Sequence, residues 1–195
     1  AICSTTATYT LSGDSLHATS VLWTTSGTGD FNDDEILAAE YTPSAADIAD
    51  GQVQLTLTGQ GHGTCDESSD FMVLTLWQAP SASAGADTAI CAGDQFVITA
   101  ATASDYNTIA WTTTGTGEFD NANALNPTYT PSAADTVAGS VTLTLTATGN
   151  GACSTAATDD VVLTIAPEPI ISAGADDAIC STTATYTLSG DSLHA

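Results

Sequence analysis

Five cysteines, Cys3, Cys65, Cys91, Cys153 and Cys180, carry the most versatile chemistry in this chain of 195 residues. A thiol can bond a second thiol, hold a metal or act as a nucleophile, and spacing separates these uses. No CxxC pair and no Cys/His cluster occurs, so the zinc pattern is missing. Cys3 and Cys91 stand 88 residues apart, and so do Cys65 and Cys153. Matched cysteines in an acidic chain without Lys or Arg point to disulfides formed in an oxidising exterior. The odd count follows if Cys180 opens a further copy whose second cysteine lies beyond residue 195.

Carboxylates offer the next chemistry. The stretch DFNDDE groups Asp30, Asp33, Asp34 and Glu35 around Asn32, and oxygen-rich loops of this kind suit Ca²⁺, which takes six to eight oxygens. Calcium is therefore the one cofactor the sequence suggests, with Asp87, Asp176 and Asp177 as further acidic positions. The spacing is not that of an EF-hand, and the matching stretch EFDNAN loses charge, so a solvated loop is the competing account. Histidine supplies little: His17, His62 and His194 are scattered, and His194 repeats His17. Asp105 and Asn150 stand where the other half carries His17 and His62. With no nucleophile elbow and no sign of a cleft for paired carboxylates, the chain is not expected to be an enzyme.

Composition narrows the partners. Zero Lys plus Arg against 23 Asp plus Glu gives a formal charge of −23. Phosphate contacts depend mainly on Lys and Arg, so nucleic acid is excluded as a partner. Attraction to anionic lipid is disfavoured for the same reason, and no run of 18 apolar residues would insert in a membrane. A dense acidic surface keeps long polymers soluble and apart.

The elements that position these residues come in repeats. Residues 178–195 copy residues 1–18 letter for letter, a displacement of 177. Half that distance also shows, since residues 1–65 match residues 89–153 at 27 positions without a gap. WTTSGTGDF from Trp23 returns as WTTTGTGEF from Trp111, and YTPSAAD from Tyr41 returns from Tyr129. We read a first module over 1–79, with its first strand cut away, a second over 80–168, and the first strands of a further copy over 169–195. A period near 90 exceeds the roughly 20–45 residues of a solenoid coil and suits modules with their own cores.

Within each module, short stretches alternate with period two. QVQLTLTG sets Val53, Leu55 and Leu57 on one face, and TATYTLSG does the same with Ala7, Tyr9 and Leu11. PSAADIADG and PSAADTVAG read as one-turn helical corners begun by Pro and ended by Gly. About seven short strands with a Trp on the third predict an all-β, antiparallel, immunoglobulin-like sandwich, repeated end to end. Trp23 and Trp111 belong in the core. Trp77, replaced by Ala166 in the second module and next to QAP at the module end, is expected to pack in the joint between modules or to serve a lateral contact.

Two disulfide patterns remain open. The within-module pattern joins Cys3 to Cys65 and Cys91 to Cys153. Strand parity favours Cys3 with Cys153 across modules, because the turn before the second strand and the turn between the last two lie at opposite ends. A strand of about six residues spans roughly 20 Å, whereas bridged Cα atoms lie within about 7 Å. In that pattern Cys91 reaches into the following module.

The order IC…WTTSGTGxF…YTPSAADxxxGxVxLTLT…GxC…VLTI resembles the PKD-like or Ig-like tandem repeats of giant secreted Bacteroidota surface proteins. These include gliding adhesins exported by the type IX route. The resemblance rests on Cys91, Gly93, Trp111, Gly115, Gly117, Phe119, Tyr129 to Asp135, Gly139 and Cys153, and departs at Thr5, where the family has Gly. It implies extracellular tandem PKD-like sandwiches used for adhesion, surface filaments or matrix. It also implies O-glycans at Asp-Ser/Thr followed by a small or branched apolar residue, with acceptors Ser15, Thr88, Thr136 and Ser192. Ordinary Asp turn capping is the alternative for those motifs. The expected function is a structural segment of a long extracellular filament or cell-surface stalk, with further copies of the repeat as partners and lateral self-association into fibres. The alternative is an adhesin whose modules themselves bind surfaces or glycans.

Overall fold

The structure, a computed structural model, describes residues 1–182 and 185–193, Ser192 and Leu193 by backbone only. The first half runs β1 (Ile2–Cys3), β2 (Tyr9–Thr10), β3 (Ser20–Thr25), β4 (Asp30–Phe31), β5 (Glu40–Thr42), α1 (Ala45–Asp50), β6 (Gln52–Gln60) and β7 (Ser68–Trp77). Its strands form one sheet in the order β1-β7-β6-β3 and a second in the order β2-β5-β4. The fold is all-β and immunoglobulin-like, with α1 as the expected corner.

Alternation explains the core. Val53 and Leu55 of β6 lie opposite Leu74 and Met72 of β7 in an antiparallel register, and Val53, Leu55 and Leu74 are buried. They pack with Ile2, Leu11, Trp23, Tyr41 and Leu76. Trp23 donates its indole N–H to the Ile36 carbonyl at 3.1 Å, so its one polar atom is satisfied inside. Gln52 and Gln54, on the other face of β6, are exposed.

The second half repeats the plan after β8 (Ser81–Ser83). It comprises β9 (Thr88–Cys91), β10 (Phe96–Val97), β11 (Thr102–Ser104), β12 (Tyr106–Thr113), β13 (Glu118–Phe119), β14 (Thr128–Thr130), α2 (Ala133–Ala138), β15 (Ser140–Gly149) and β16 (Ala157–Ala166). Sheet orders β12-β15-β16-β9 and β10-β14-β13 match those of the first half. Ile98, Trp111, Tyr129, Val141, Leu143, Val161, Leu163 and Ile165 are buried. Two further strands, β17 (Ile170–Ser172) and β18 (Asp191–Leu193), pair antiparallel.

Spatially the chain divides into two compact units, one of residues 1–83, 101–110 and 145–159, the other of 84–100, 111–144 and 160–195. Residues 145–159 belong to the second half by sequence but to the first unit in space.

Two features differ from the sequence expectation. The sandwich is not wholly antiparallel: β1 runs parallel to β7 and β9 parallel to β16. The leading segment of each half enters beside the last strand, running the same way, and takes the open edge of the sheet. The helical corners are also set by more than Pro and Gly. Ser44 and Asp47 form a reciprocal capping box, Gly51 closes α1 with φ of 75°, and Ser132, Asp135 and Gly139 do the same for α2.

Candidate functional site: a disulfide and the elements that hold it

Cys3 lies opposite Trp77 in the parallel β1–β7 pair. The Ser4 N–H donates to the Trp77 carbonyl at 2.7 Å, and the Ala79 N–H donates to Ser4 Oγ at 3.0 Å. The cysteine is thus fixed at the finishing end of the last strand. Cys153 closes the turn after β15, its N–H donating to the Asn150 carbonyl at 2.9 Å. The two residues form a disulfide with Cα atoms 4.8 Å apart, across 150 residues of sequence. Both are buried.

Trp77 completes the arrangement. Gly151 has φ of 54°, and a Cβ placed there would fall inside the Trp77 indole, 2.7 Å from Nε1. The glycine thus serves the left-handed turn and the close approach of the ring together. The tryptophan expected from sequence in a joint or at a lateral contact lies against Gly151 in the turn that carries Cys153.

The within-module pattern is not the one formed, and strand geometry gives the reason. Cys3 lies beside Trp77, the last residue of β7, whereas Cys65 precedes Ser68, the first residue of that strand. A strand of 10 residues separates them, roughly 30 Å at about 3.3 Å per residue. Cys91 opposite Ala166 and Cys153 ahead of Ala157 are separated by β16 in the same way. Cys65 and Cys91 are exposed and unbonded, as is Cys180.

A second constellation, which sequence reading missed, lies at each corner. Asp47 and Asp135 are 2% and 3% exposed, although carboxylates rarely go inside unless several donors meet them. Asp135 Oδ1 accepts from the Thr116 N–H at 2.8 Å. Its Oδ2 accepts from the Gly117 N–H at 2.8 Å, the Tyr129 hydroxyl at 2.8 Å and the Ser132 N–H at 3.0 Å. Burial alone would raise this carboxyl. The N–H groups of Ser132 and Thr116, the Tyr129 hydroxyl and the Gly117 N–H outweigh it and hold the group at about 2. Asp47 repeats the pattern with Thr28, Tyr41 and Ser44 at 2.8, 2.6 and 3.0 Å, and is likewise lowered against the effect of burial. Burial first, then the adjoining carboxylate, raises Tyr41. The motifs GTG.F and YTPSAAD are thus two halves of one buried knot. Gly117 belongs to it because a Cβ there would approach the Tyr129 hydroxyl to 2.6 Å. The one available signal was an Asp in both copies of YTPSAAD, beside a helix start that needed a cap.

The remaining sequence candidates are not brought together. Asp30 lies in β4, Asp33 Oδ1 accepts from the Glu35 N–H at 3.0 Å, and Asn32 Oδ1 accepts from the N–H groups of Asp33 and Glu40. These side chains cap their own loop, and Asp34 and Glu35 are exposed. Among the described residues no group of three or more His, Cys, Asp or Glu side chains converges on a common point. His17 has φ of 64° and Asp105 φ of 54°, so the position shared by histidine and aspartate is a left-handed turn.

The glycan candidates differ. Ser15 is half-buried, and Thr88 is half-buried in β9. Beside Thr88, the Asp87 carboxylate accepts the Val162 N–H at 2.9 Å. Thr136 is half-buried in α2, with its hydroxyl donating to the Ser132 carbonyl at 3.2 Å. The Ser192 side chain and His194 lie outside the described residues. At Thr5, which corresponds to Gly93 of the second half, both halves still turn. Thr6 N–H donates to the Cys3 carbonyl and Asp94 N–H to the Cys91 carbonyl, with Gly93 alone of the pair adopting positive φ.

No protein-family profile and no curated protein matches the chain. Among solved structures it is similar to mouse clustered PcdhgC3 EC1-3, at 14% identity over 84% of this chain and 64% of that one, TM-score 0.42. It is similar to human CDH23 EC21-23 at 12% identity over 88% and 68%, TM-score 0.46. Mouse cadherin-23 EC22-24 gives 13% over 77% and 54%, TM-score 0.45. The chain spans 64%, 41% and 43% of the first three solved chains it resembles. Among the described residues no helix is long and apolar enough to cross a membrane.

Proposed function

We propose that this chain is a structural segment of a long, repetitive extracellular filament or cell-surface stalk, built from tandem sandwich modules placed end to end. The observation that carries the reading is the Cys3–Cys153 bond, which ties the opening of one repeat half to the far turn of the next. A disulfide across 150 residues resists unravelling under pull in a way that contacts within one module do not. The 177-residue period and the charge of −23 fit a polymer that stays solvated along its length.

The resemblance to Bacteroidota surface repeats supports an extracellular setting, type IX export and O-glycans, for which Ser15 and Thr88 are better placed than Thr136. Further copies of the repeat are the partners on this reading, with lateral contacts between copies forming fibres. Electron microscopy of the native material tests it: extended strings or bundles with a regular axial repeat are expected, and a compact globule would remove the reading. Intact-mass measurement showing no sugar increments would remove the glycans alone, and a melting temperature unmoved by chelator would remove calcium.

A further inference from the structure

The bonded joint uses one of two matching sets. Cys91 stands at the end of β9 opposite Ala166, as Cys3 stands opposite Trp77. The Ala92 N–H donates to the Ala166 carbonyl at 2.8 Å, and the Ser4 N–H to the Trp77 carbonyl at 2.7 Å. The receiving turn is also built twice. The Cys65 N–H donates to the His62 carbonyl at 3.0 Å, and the Cys153 N–H to the Asn150 carbonyl at 2.9 Å. Gly63 and Gly151 have φ of 63° and 54°.

The two turns differ in what covers them. Gly151 lies under Trp77, while a Cβ on Gly63 would meet nothing within 4 Å. Beside Cys65 is a cleft of about 540 Å³, lined by Leu16, His17, Val21, Leu57 and His62 among others. Leu16 is 84% exposed at its edge. One unbonded cysteine therefore stands on a finished donor end, and the other on a finished, uncovered receiving end.

We propose that Cys65 of one copy of this chain bonds Cys91 of another copy, with the Ala166 end of β16 laid over the Gly63 turn and the cleft beside it. The inference rests on the end-to-end filament reading. In a continuous array of period 177, Cys91 and the next copy's Cys65 are 151 residues apart, against 150 for the bonded pair. The reaction is thiol–disulfide exchange with a disulfide donor, either an oxidised small thiol or a dithiol oxidoreductase. The Cys91 and Cys65 thiols lose two protons and two electrons and form the S–S bond, while the donor's S–S bond breaks and leaves as two thiols.

The test uses the 195-residue chain carrying Cys180→Ser, which removes the third exposed thiol, in a buffer of oxidised and reduced glutathione. A ladder of covalent oligomers is expected on non-reducing gels. Cleavage at Asp and Glu should release an interchain Cys65–Cys91 peptide. Adding Cys65→Ser or Cys91→Ser should leave each protein monomeric, and mixing the two should give a dimer and nothing larger. Circular dichroism matching the parent shows that each variant folds. Three results overturn the proposal: Cys91–Cys91 dimers from the Cys65→Ser protein alone, an intrachain Cys65–Cys91 bond, or only glutathione-capped monomer. Fibres in the native material alongside any of these would leave the filament reading standing without the second bond.

Discussion

The turns at residues 61–65 and 149–153 read GHGTC and GNGAC, close the same backbone hydrogen bond and place glycine at the same left-handed position. One has its glycine against an indole and its cysteine buried and bonded; the other has nothing against its glycine and its cysteine exposed. The difference lies in what reaches each turn from elsewhere in the chain. Cys3 and Trp77 reach the second, and among the described residues nothing equivalent reaches the first. A turn sequence therefore sets a shape, and its environment is decided by the strand end that arrives at it.

The sharpest way to break this comparison is to remove the bond. Cys3→Ser should destabilise the chain by as much as about 5 kcal/mol, the loop-entropy value for a loop of this length. Cys65→Ser should leave the melting temperature of the monomer unchanged. Thermal melts of the two variants check this, and equal losses would show that the two turns are not distinct.

The buried knots should respond next, because they are built alike in both halves. Asp135→Ala strands three N–H donors, leaves the Tyr129 hydroxyl with Thr113 alone, and should cost about 4 kcal/mol. Asp47→Ala, with one fewer bond to lose, should cost about 3 kcal/mol. Urea unfolding of both variants measures the difference.

The glycines give a finer test. Gly151→Ala should cost about 3 kcal/mol, from the left-handed backbone and the collision with Trp77. Gly63→Ala should cost about 1 kcal/mol, from the backbone alone. Adding Trp77→Ala should relieve most of the excess at Gly151 and none at Gly63, a coupling that a double-mutant cycle reads directly.

Acid sensitivity is the last test, with an effect comparable to the excess at Gly151 over Gly63. Asp135 is held at about 2, below the ordinary value of 3.8, so its contribution is complete above about pH 4. That contribution disappears as pH falls through about 2, and amounts to roughly 2 kcal/mol. Protonating exposed carboxylates relieves self-repulsion over the same range, so the quantity to measure is the wild-type stability minus that of Asp135→Asn. This difference should shrink between pH 4 and 2, and a constant difference would deny the shift.

Much of the fold was legible in the sequence, because alternation is a local signal. Val53 and Leu55 declare a buried face, and Trp23 marks the third strand. Gly after PSAAD ends a helix wherever it occurs. The knot was not legible, since nothing local shows that the GTG turn returns across β5 to meet the Asp47 or Asp135 carboxylate. The parallel β1–β7 pair was hidden for a similar reason: two residues, Ile2 and Cys3, carry no period.

The eighteen letters shared by residues 1–18 and 178–195 separate the two kinds of information. Composition, charge, repeat period and the turn-forming residues belong to the sequence alone and are the same in both copies. Yet Ile2 is buried and paired with Leu76, whereas Ile179 is 55% exposed and outside any strand. Leu11 is 2% exposed and Leu188 83%. A short apolar stretch gains its hydrogen bonds and its burial only from a neighbouring edge, and the first copy has β7 beside it. The tertiary structure alone decided that, as it decided which cysteine Cys3 would meet.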